Sequence, residues 1–257
     1  GRPGSESERP MNPTAIEPFA MQSFNGKVAI VTGAAGNLGR ALCRSLTERG
    51  ARVAMVDLDQ RALESAGENL PAGGETAAFA ADLISPASVA DMVERVSAHF
   101  GRIDILANIA GGFTMGPPLH ETEDRDWDFM MDLNARSVFN TCRAVVPRML
   151  ELGGGRIVNV SARAATEGKG HMGPYCASKA AVLTLTESLA AEHRDTGINV
   201  NCILPGTVDT PQNRAAMPDA DHSRWVPTSA LADVILFLAS DAARCLSGAA
   251  VPVYGRS

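Results

Sequence analysis

The sequence predicts an α/β fold built as a single doubly wound parallel sheet with helices on both faces. Short apolar runs alternate with longer stretches of helical period through most of the chain, and such alternation implies parallel strands joined by crossover helices. The first run, Val28 to Val31, leads straight into a glycine-rich turn and then a helix. The length, 257 residues, suffices to bury a substantial core as one unit.

Taken in order, Val28–Val31 reads as a buried strand, because a parallel strand covered on both faces is apolar throughout. The helix after it presents Ala41, Leu42 and Leu46 and stops at Gly50. Further strands are expected at Arg52–Val56, Thr76–Ala80, Ile103–Asn108, Arg156–Val160, Ile198–Leu204 and Ala249–Val253. Helices are expected at Gln60–Asn69, Pro86–Phe100, Asp126–Leu150, Pro174–His193 and Thr228–Ser240. Residues 1–22 are rich in Ser, Glu, Pro and Gly with neither period, and read as a flexible tail opening with a cloning remnant, Gly1 to Ser5. That tail has no apolar core of a signal peptide, and residues 23–257 form the expected domain. No internal repeat or second domain is visible.

Composition narrows the function classes. A formal charge of −6 with scattered Lys and Arg argues against a nucleic-acid surface, and no apolar stretch reaches membrane-spanning length. The five cysteines (Cys43, Cys142, Cys176, Cys202, Cys245) have neither C-x-x-C nor zinc spacing, so reduced thiols in a cytoplasmic protein, without a metal site, are expected.

Two motifs carry chemistry. In the turn Thr32-Gly-Ala-Ala-Gly-Asn-Leu-Gly39, Gly33 and Gly39 let the backbone approach a diphosphate, with Asn37 and Leu38 completing the cradle. The anion would then sit on the helix N-terminus, where free N–H groups and the dipole favour negative charge; the alternative is a tight turn with no ligand. Tyr175 and Lys179 are four residues apart, so on a helix they share a face. A free phenol ionises near ~10, and a neighbouring ammonium is expected to pull that value down toward the range useful for acid–base catalysis.

These residues resemble the short-chain dehydrogenase/reductases, from about Gly26 to Gly255. The resemblance implies a Rossmann-type fold, a nicotinamide dinucleotide, and Tyr175 and Lys179 as catalytic residues that also touch the cofactor. The family's T-G-x-x-x-G-x-G matches at Thr32, Gly33 and Gly39, with Asn37 at the middle glycine and a glycine displaced to Gly36; asparagine tolerates left-handed backbone better than most residues. Asp57, closing the second strand, can accept hydrogen bonds from the adenosine ribose and would repel a 2′-phosphate, which favours NAD over NADP; the alternative is a loop aspartate or helix cap. Asp82 and Leu83 resemble the adenine-edge pair, although Asp82 or Ser85 could instead cap the Pro86 helix. Asn108, Ala110 and Gly111 resemble N-N-A-G, with Ile109 at its second asparagine, and are expected to support the sheet and lie along the cofactor ribose. Asn134 matches a catalytic asparagine that anchors a water-linked proton path to the lysine; it could equally be a polar helix-face residue. Pro205, Gly206 and Val208 resemble the P-G segment beside the nicotinamide, with Thr210 near the carboxamide.

Position 162 departs from the pattern. The family's serine lies thirteen residues before the tyrosine, and here that place is Ala162. Ser161 is adjacent, but neighbouring strand residues point to opposite faces, so only a bulge or insertion would let it substitute. Quinoid dihydropteridine reductases share this gap, and Ser161 to Ala165, Met172 to Tyr175, Ala110 to Phe113 and especially Asp209 to Trp225 resemble their sequences. A quinonoid pterin regains aromaticity on reduction and needs less electrophilic help than a ketone. Phe113 and Trp225 could offer flat surfaces to such a ring, or simply pack.

The expected function is NAD(H)-dependent hydride transfer to or from a small carbonyl- or quinonoid-type substrate, with tyrosine as general acid/base. A homodimer or homotetramer through the 126–150 and 174–193 helices is implied by the resemblance. Two other readings stay open: an NAD-binding regulatory or scaffold protein that has lost catalysis, and an ordinary alcohol or ketone dehydrogenase with Ser161 repositioned.

Overall fold

Strand β1 (Val28–Thr32) is buried at every position, as the centre of a sheet covered on both sides requires. Its alternate residues serve opposite cores: Ala29 and Val31 belong to one cluster, Val28 and Ile30 to the other. The computed structural model describes residues 23–71 and 74–256; the expected N-terminal tail lies outside the described residues.

After β1 come α1 (Asn37–Glu48), β2 (Arg52–Asp57), α2 (Gln60–Glu68), β3 (Thr76–Ala80), α3 (Pro86–Phe100) and β4 (Ile105–Asn108). Then follow α4 (Asp124–Met130), a π-helical segment (Met131–Arg136), α5 (Ser137–Leu152), β5 (Gly155–Val160), α6 (Gly173–Glu192) and β6 (Ile198–Pro205). The chain continues through β7 (Val208–Asp209), α7 (Pro211–Ala216), β8 (Val226–Pro227), α8 (Thr228–Ala239) and β9 (Ala250–Val253). Seven strands form one sheet in the order β3-β2-β1-β4-β5-β6-β9, every pair parallel. This is the doubly wound α/β architecture expected. Strand order reverses between β1 and β4, opening a crevice beyond the strands' carboxyl ends where such sheets bind ligands.

On one face Leu42 and Leu46 of α1 join Leu231 and Ile235 of α8 over Val31 and Met55. On the other, Val89, Met92 and Val96 of α3 join Val138, Val145 and Met149 of α5 over Ile30 and Leu106. Fully burying one such side chain is worth about 1.5–3 kcal/mol, so these layers hold the strand ends that carry the site.

Most elements fall within one or two residues of expectation, with two informative differences. The helix expected at Asp126–Leu150 begins at Asp124, ends at Leu152 and contains the π-helical segment at Met131–Arg136. Apolar period cannot separate i+4 from i+5 bonding over a single turn, and such bulges concentrate at functional sites. Strand β4 starts at Ile105 rather than Ile103, because the Asp104 side chain turns back to accept from Val28 N at 2.9 Å and from Arg102 Nε at 2.8 Å. The small β7–β8 pair and α7 lie in a segment where no element was expected.

Candidate active site

The glycine turn after β1 is shaped by close approach. Gly33 has φ 63°, and a Cβ built there would stand 2.9 Å from Ala110 N; a Cβ on Gly39 would overlap the Gly33 carbonyl. Thr32 Oγ1 accepts from Ile109 N at 3.0 Å and Ala110 N at 3.1 Å, locking the turns after β1 and β4 together. Helix α1 opens at Gly36 with no side-chain cap and no acidic residue in its first turn. Its N-terminus, running through Asn37, Leu38 and Gly39, therefore keeps both donors and positive dipole available to an anion. A dinucleotide's diphosphate fits this chemistry.

Asp57 is not a helix cap: α2 is capped by Asp59. Its carboxylate instead accepts from Ala35 N at 3.1 Å and Leu58 N at 2.8 Å, braced against the glycine turn. Asp82 likewise leaves the capping of α3 to Ser85, and accepts from Ile84 N at 3.0 Å. The Leu83 carbonyl accepts from buried Asn140 Nδ2 at 2.9 Å. The Asn108 side chain turns inward, donating to Asn159 Oδ1 at 2.8 Å and accepting from Thr141 Oγ1 at 2.8 Å. Its side chain thus supports the sheet between β4, β5 and α5.

Beyond β5, α6 brings Tyr175 and Lys179 to the same region. Lys179 is 6% exposed, with Nζ donating to Val160 O at 3.1 Å. Asn134 lies in the π-helical segment, buried; it accepts from Gly112 N at 2.9 Å and donates to Gly112 O and Ser178 Oγ, each at 3.0 Å. Ser178 Oγ in turn donates to Tyr175 O at 2.8 Å. A Cβ on Gly111 would lie 2.7 Å from Asn134 Oδ1 and 3.1 Å from Lys179 Nζ, so the glycine lets these groups converge.

The ionisation expected from the Tyr–Lys spacing needs correction. Burial pushes the Tyr175 phenol up to about 12, and burial also pushes the Lys179 ammonium down to about 8. Burial sets both directions, because desolvation disfavours the charged form of each group, and Cys176 raises the phenol further.

Ala162 forms a small apolar cluster with Ala164 and Cys176, against which Met172 and Tyr175 pack. Ser161 faces the other way, its Oγ donating to Lys179 O at 2.8 Å. No bulge repositions it: Val160 pairs with Ile203 in regular register, and Ser161 N donates to Ile203 O at 2.9 Å. The repositioned-serine reading is therefore overturned.

Phe113 is 52% exposed and stands edge-on to Tyr175, with centroids 4.9 Å apart. Trp225 does not match it as an open surface. It is 8% exposed and its ring lies tilted against His222, with centroids 4.3 Å apart. Pro205 ends β6, and Gly206 N donates to Val253 O at 2.9 Å. Val208 pairs with Val226, and Thr210 caps α7 by accepting from Asn213 N at 3.2 Å. Three contributors escaped sequence reading. Gln212 accepts from Asn37 Nδ2 at 2.9 Å, Ser178 bridges Asn134 to α6, and His171 adopts φ 63°. The last two flank the tyrosine closely enough in sequence to have been weighed, but no period or motif marks them.

A parallel sheet with an open helix N-terminus at its switch point, and a half-buried Tyr175 one helical turn from buried Lys179 beyond β5, is the arrangement of a nucleotide-dependent α/β oxidoreductase. The chain belongs to the short chain dehydrogenase family, whose profile matches residues 27–221. It is 39% identical over 244 residues to D-threitol dehydrogenase of Mycolicibacterium smegmatis, covering 90% of this chain and 93% of that protein. It is 34% identical over 241 residues to the 3-oxoacyl-(acyl-carrier-protein) reductase FabG of Escherichia coli, covering 91% and 98%. A solved structure of NAD+-bound xylitol dehydrogenase aligns with TM-score 0.85 at 29% identity, covering 91% of this chain and 100% of that one. Among the described residues no helix is long and apolar enough to cross a membrane, and no cluster of metal-ligating side chains occurs.

Proposed function

We propose that the protein is an NAD(H)-dependent reductase of an easily reduced small molecule, carbonyl- or quinonoid-type, with Tyr175 as the proton donor. The observation that carries this reading is the pairing of a protonated, half-buried phenol with Ala162 in the place of a second hydroxyl donor. A phenol held near 12 keeps its proton at neutral pH, which suits a general acid in the reductive direction. One missing oxyanion donor lowers rate by roughly 10²–10³ for a substrate that needs polarising, so an acceptor that gains aromaticity on reduction is favoured.

The nicotinamide, when bound, supplies the hydride. The chain's own residues do the rest. Gly33, Asn37, Leu38 and Gly39 receive the diphosphate on the α1 N-terminus, and Asp57 accepts from the ribose hydroxyls while repelling a 2′-phosphate. Asp82 and Leu83 border the adenine. Asn108, Ala110 and Gly111 line the ribose path, and Pro205, Gly206, Val208 and Thr210 flank the nicotinamide. Lys179 Nζ orients the nearer ribose, and Asn134 positions the Gly112 backbone and, through Ser178, the first turn of α6. Exposed Trp127, Phe129 and Phe139 on α4 and α5 support a homodimer or homotetramer, and free cysteines support a cytoplasmic setting.

The test is NADH oxidation with freshly generated quinonoid dihydropteridine, beside simple ketones and, in the reverse direction, polyols. Fast turnover on the quinonoid acceptor, abolished in Tyr175→Phe with NADH affinity retained, is the expected result. Undiminished turnover in Tyr175→Phe would sink the mechanism. NADH binding without turnover on any substrate would favour a binding-only protein, the reading that Ala162 also permits.

A further inference from the structure

The segment between β4 and α4 lies across the start of α6 and is fastened there repeatedly. Gly112 exchanges hydrogen bonds with Asn134 at 2.9 and 3.0 Å. Phe113 then stands edge-on against Tyr175. Gly116 N donates to His171 O at 2.9 Å, and the His171 ring returns the bond, Nδ1 to Gly116 O, at 3.2 Å. Leu119 packs on Gly173, where a built Cβ would lie 2.9 Å from Leu119 Cδ1. Residues 112–119 thus form a strap that carries Phe113 against the phenol.

His171 is the odd member of this series. Among the described residues it is the one non-glycine residue with positive φ, at 63°. Glycine would occupy that corner without strain, whereas a side chain persists there only when its surroundings hold it. The backbone bond from Gly116 N needs no imidazole. What the ring adds is a second bond to the same residue; because a carbonyl only accepts, Nδ1 carries the proton.

We propose that His171 is a positioning residue, whose ring clamps the strap so that Phe113 keeps the substrate wall in place beside Tyr175. This rests on the reading of Tyr175 as the reacting acid, but the clamp itself is separately testable. Hydrogen exchange of residues 112–119 would be compared in wild type, His171→Gly and His171→Asn, together with steady-state kinetics and NADH titration. In His171→Gly the strap amides should exchange faster and KM should rise about three- to tenfold, the worth of one net hydrogen bond. NADH affinity and kcat should stay within about twofold and the melting temperature should not fall, since strain is relieved. Asparagine tolerates the left-handed corner and places Nδ2 where imidazole holds Nδ1, so His171→Asn should restore both exchange and KM.

Wild-type exchange and KM in His171→Gly would overturn the proposal, as would an equal loss in both variants. If the wild-type enzyme turned over no substrate offered, the reductase reading would fail while exchange still decided the clamp.

Discussion

Ala162 belongs with Ala164 and Cys176 to a small apolar cluster against which Met172 and Tyr175 pack, so a hydroxyl introduced at position 162 would enter the tyrosine's own surroundings. Ala162→Ser should raise kcat/KM on an unactivated ketone by about 10²–10³ and change turnover of a quinonoid acceptor far less. A ketone rate that does not move would mean another group already supplies the donor. Lys179 makes a second residue-scale case. It ionises near 8 in the fold against an ordinary 10.5, so below about 8 the folded state carries a buried charge that it disfavours. Between 8 and 10.5 the folded state sheds its proton first, and stability rises with pH until the penalty is gone. Lys179→Met should therefore stabilise the cofactor-free protein at pH 7 by up to about 3 kcal/mol while turnover is lost, and the gain should fade toward pH ~10.5. A lower melting temperature at pH 7 would show instead that the Val160 bond outweighs desolvation. The opposite facing of Ser161 and Ala162 was legible from strand alternation alone. The direction of the Tyr175 and Lys179 shifts was not, because i,i+4 spacing reports proximity and says nothing of depth.

At the scale of elements, the start of β4 shows how side chains set a boundary. Asp104 joins three elements: its carboxylate takes Val28 N of β1 and Arg102, and its carbonyl takes Arg156 N of β5 at 2.9 Å. Burial alone would raise its carboxyl, but Arg102, Val28 N–H and Lys27 together hold it below the usual carboxylate range. A depressed value stabilises the fold above the unfolded value near ~4 and is lost as pH falls through the folded one. Asp104→Asn should cost about 1.5–3 kcal/mol at pH 7, and urea midpoints of wild type and variant should converge in acid. A gap that survives full protonation of the carboxylate would place the effect in packing rather than charge. The sequence showed nearly every strand and helix because β1, β2 and β5 are apolar runs and the helices keep their period. It could not show the break at Met131–Arg136, the clamp at His171 or the Asn37–Gln212 bond. The last two depend on partners distant in the chain, and the first on a bonding shift that apolar period does not register.

At the scale of the molecule, the sheet's order and the open α1 N-terminus make cofactor binding and folding one linked equilibrium. A ligand that binds only the folded chain stabilises it by about 2.7 kcal/mol at a hundredfold excess over Kd, which for a domain of this size is a rise of about 5–10 °C in melting temperature. On the proposed reading, Asp57 decides which dinucleotide achieves it. Its carboxylate is already committed to Ala35 N and Leu58 N, so it cannot swing away from a 2′-phosphate without releasing the turn that holds the diphosphate. NADH should therefore give the full rise and NADPH at equal concentration a much smaller one. Asp57→Asn removes the charge, so the NADPH shift should grow toward that of NADH. Because an amide oxygen can still brace only one of the two N–H groups as well as the carboxylate did, the NADH shift should shrink at the same time. An equal response to both dinucleotides in the wild type would reject Asp57 as the selector, and with it the preference for NAD.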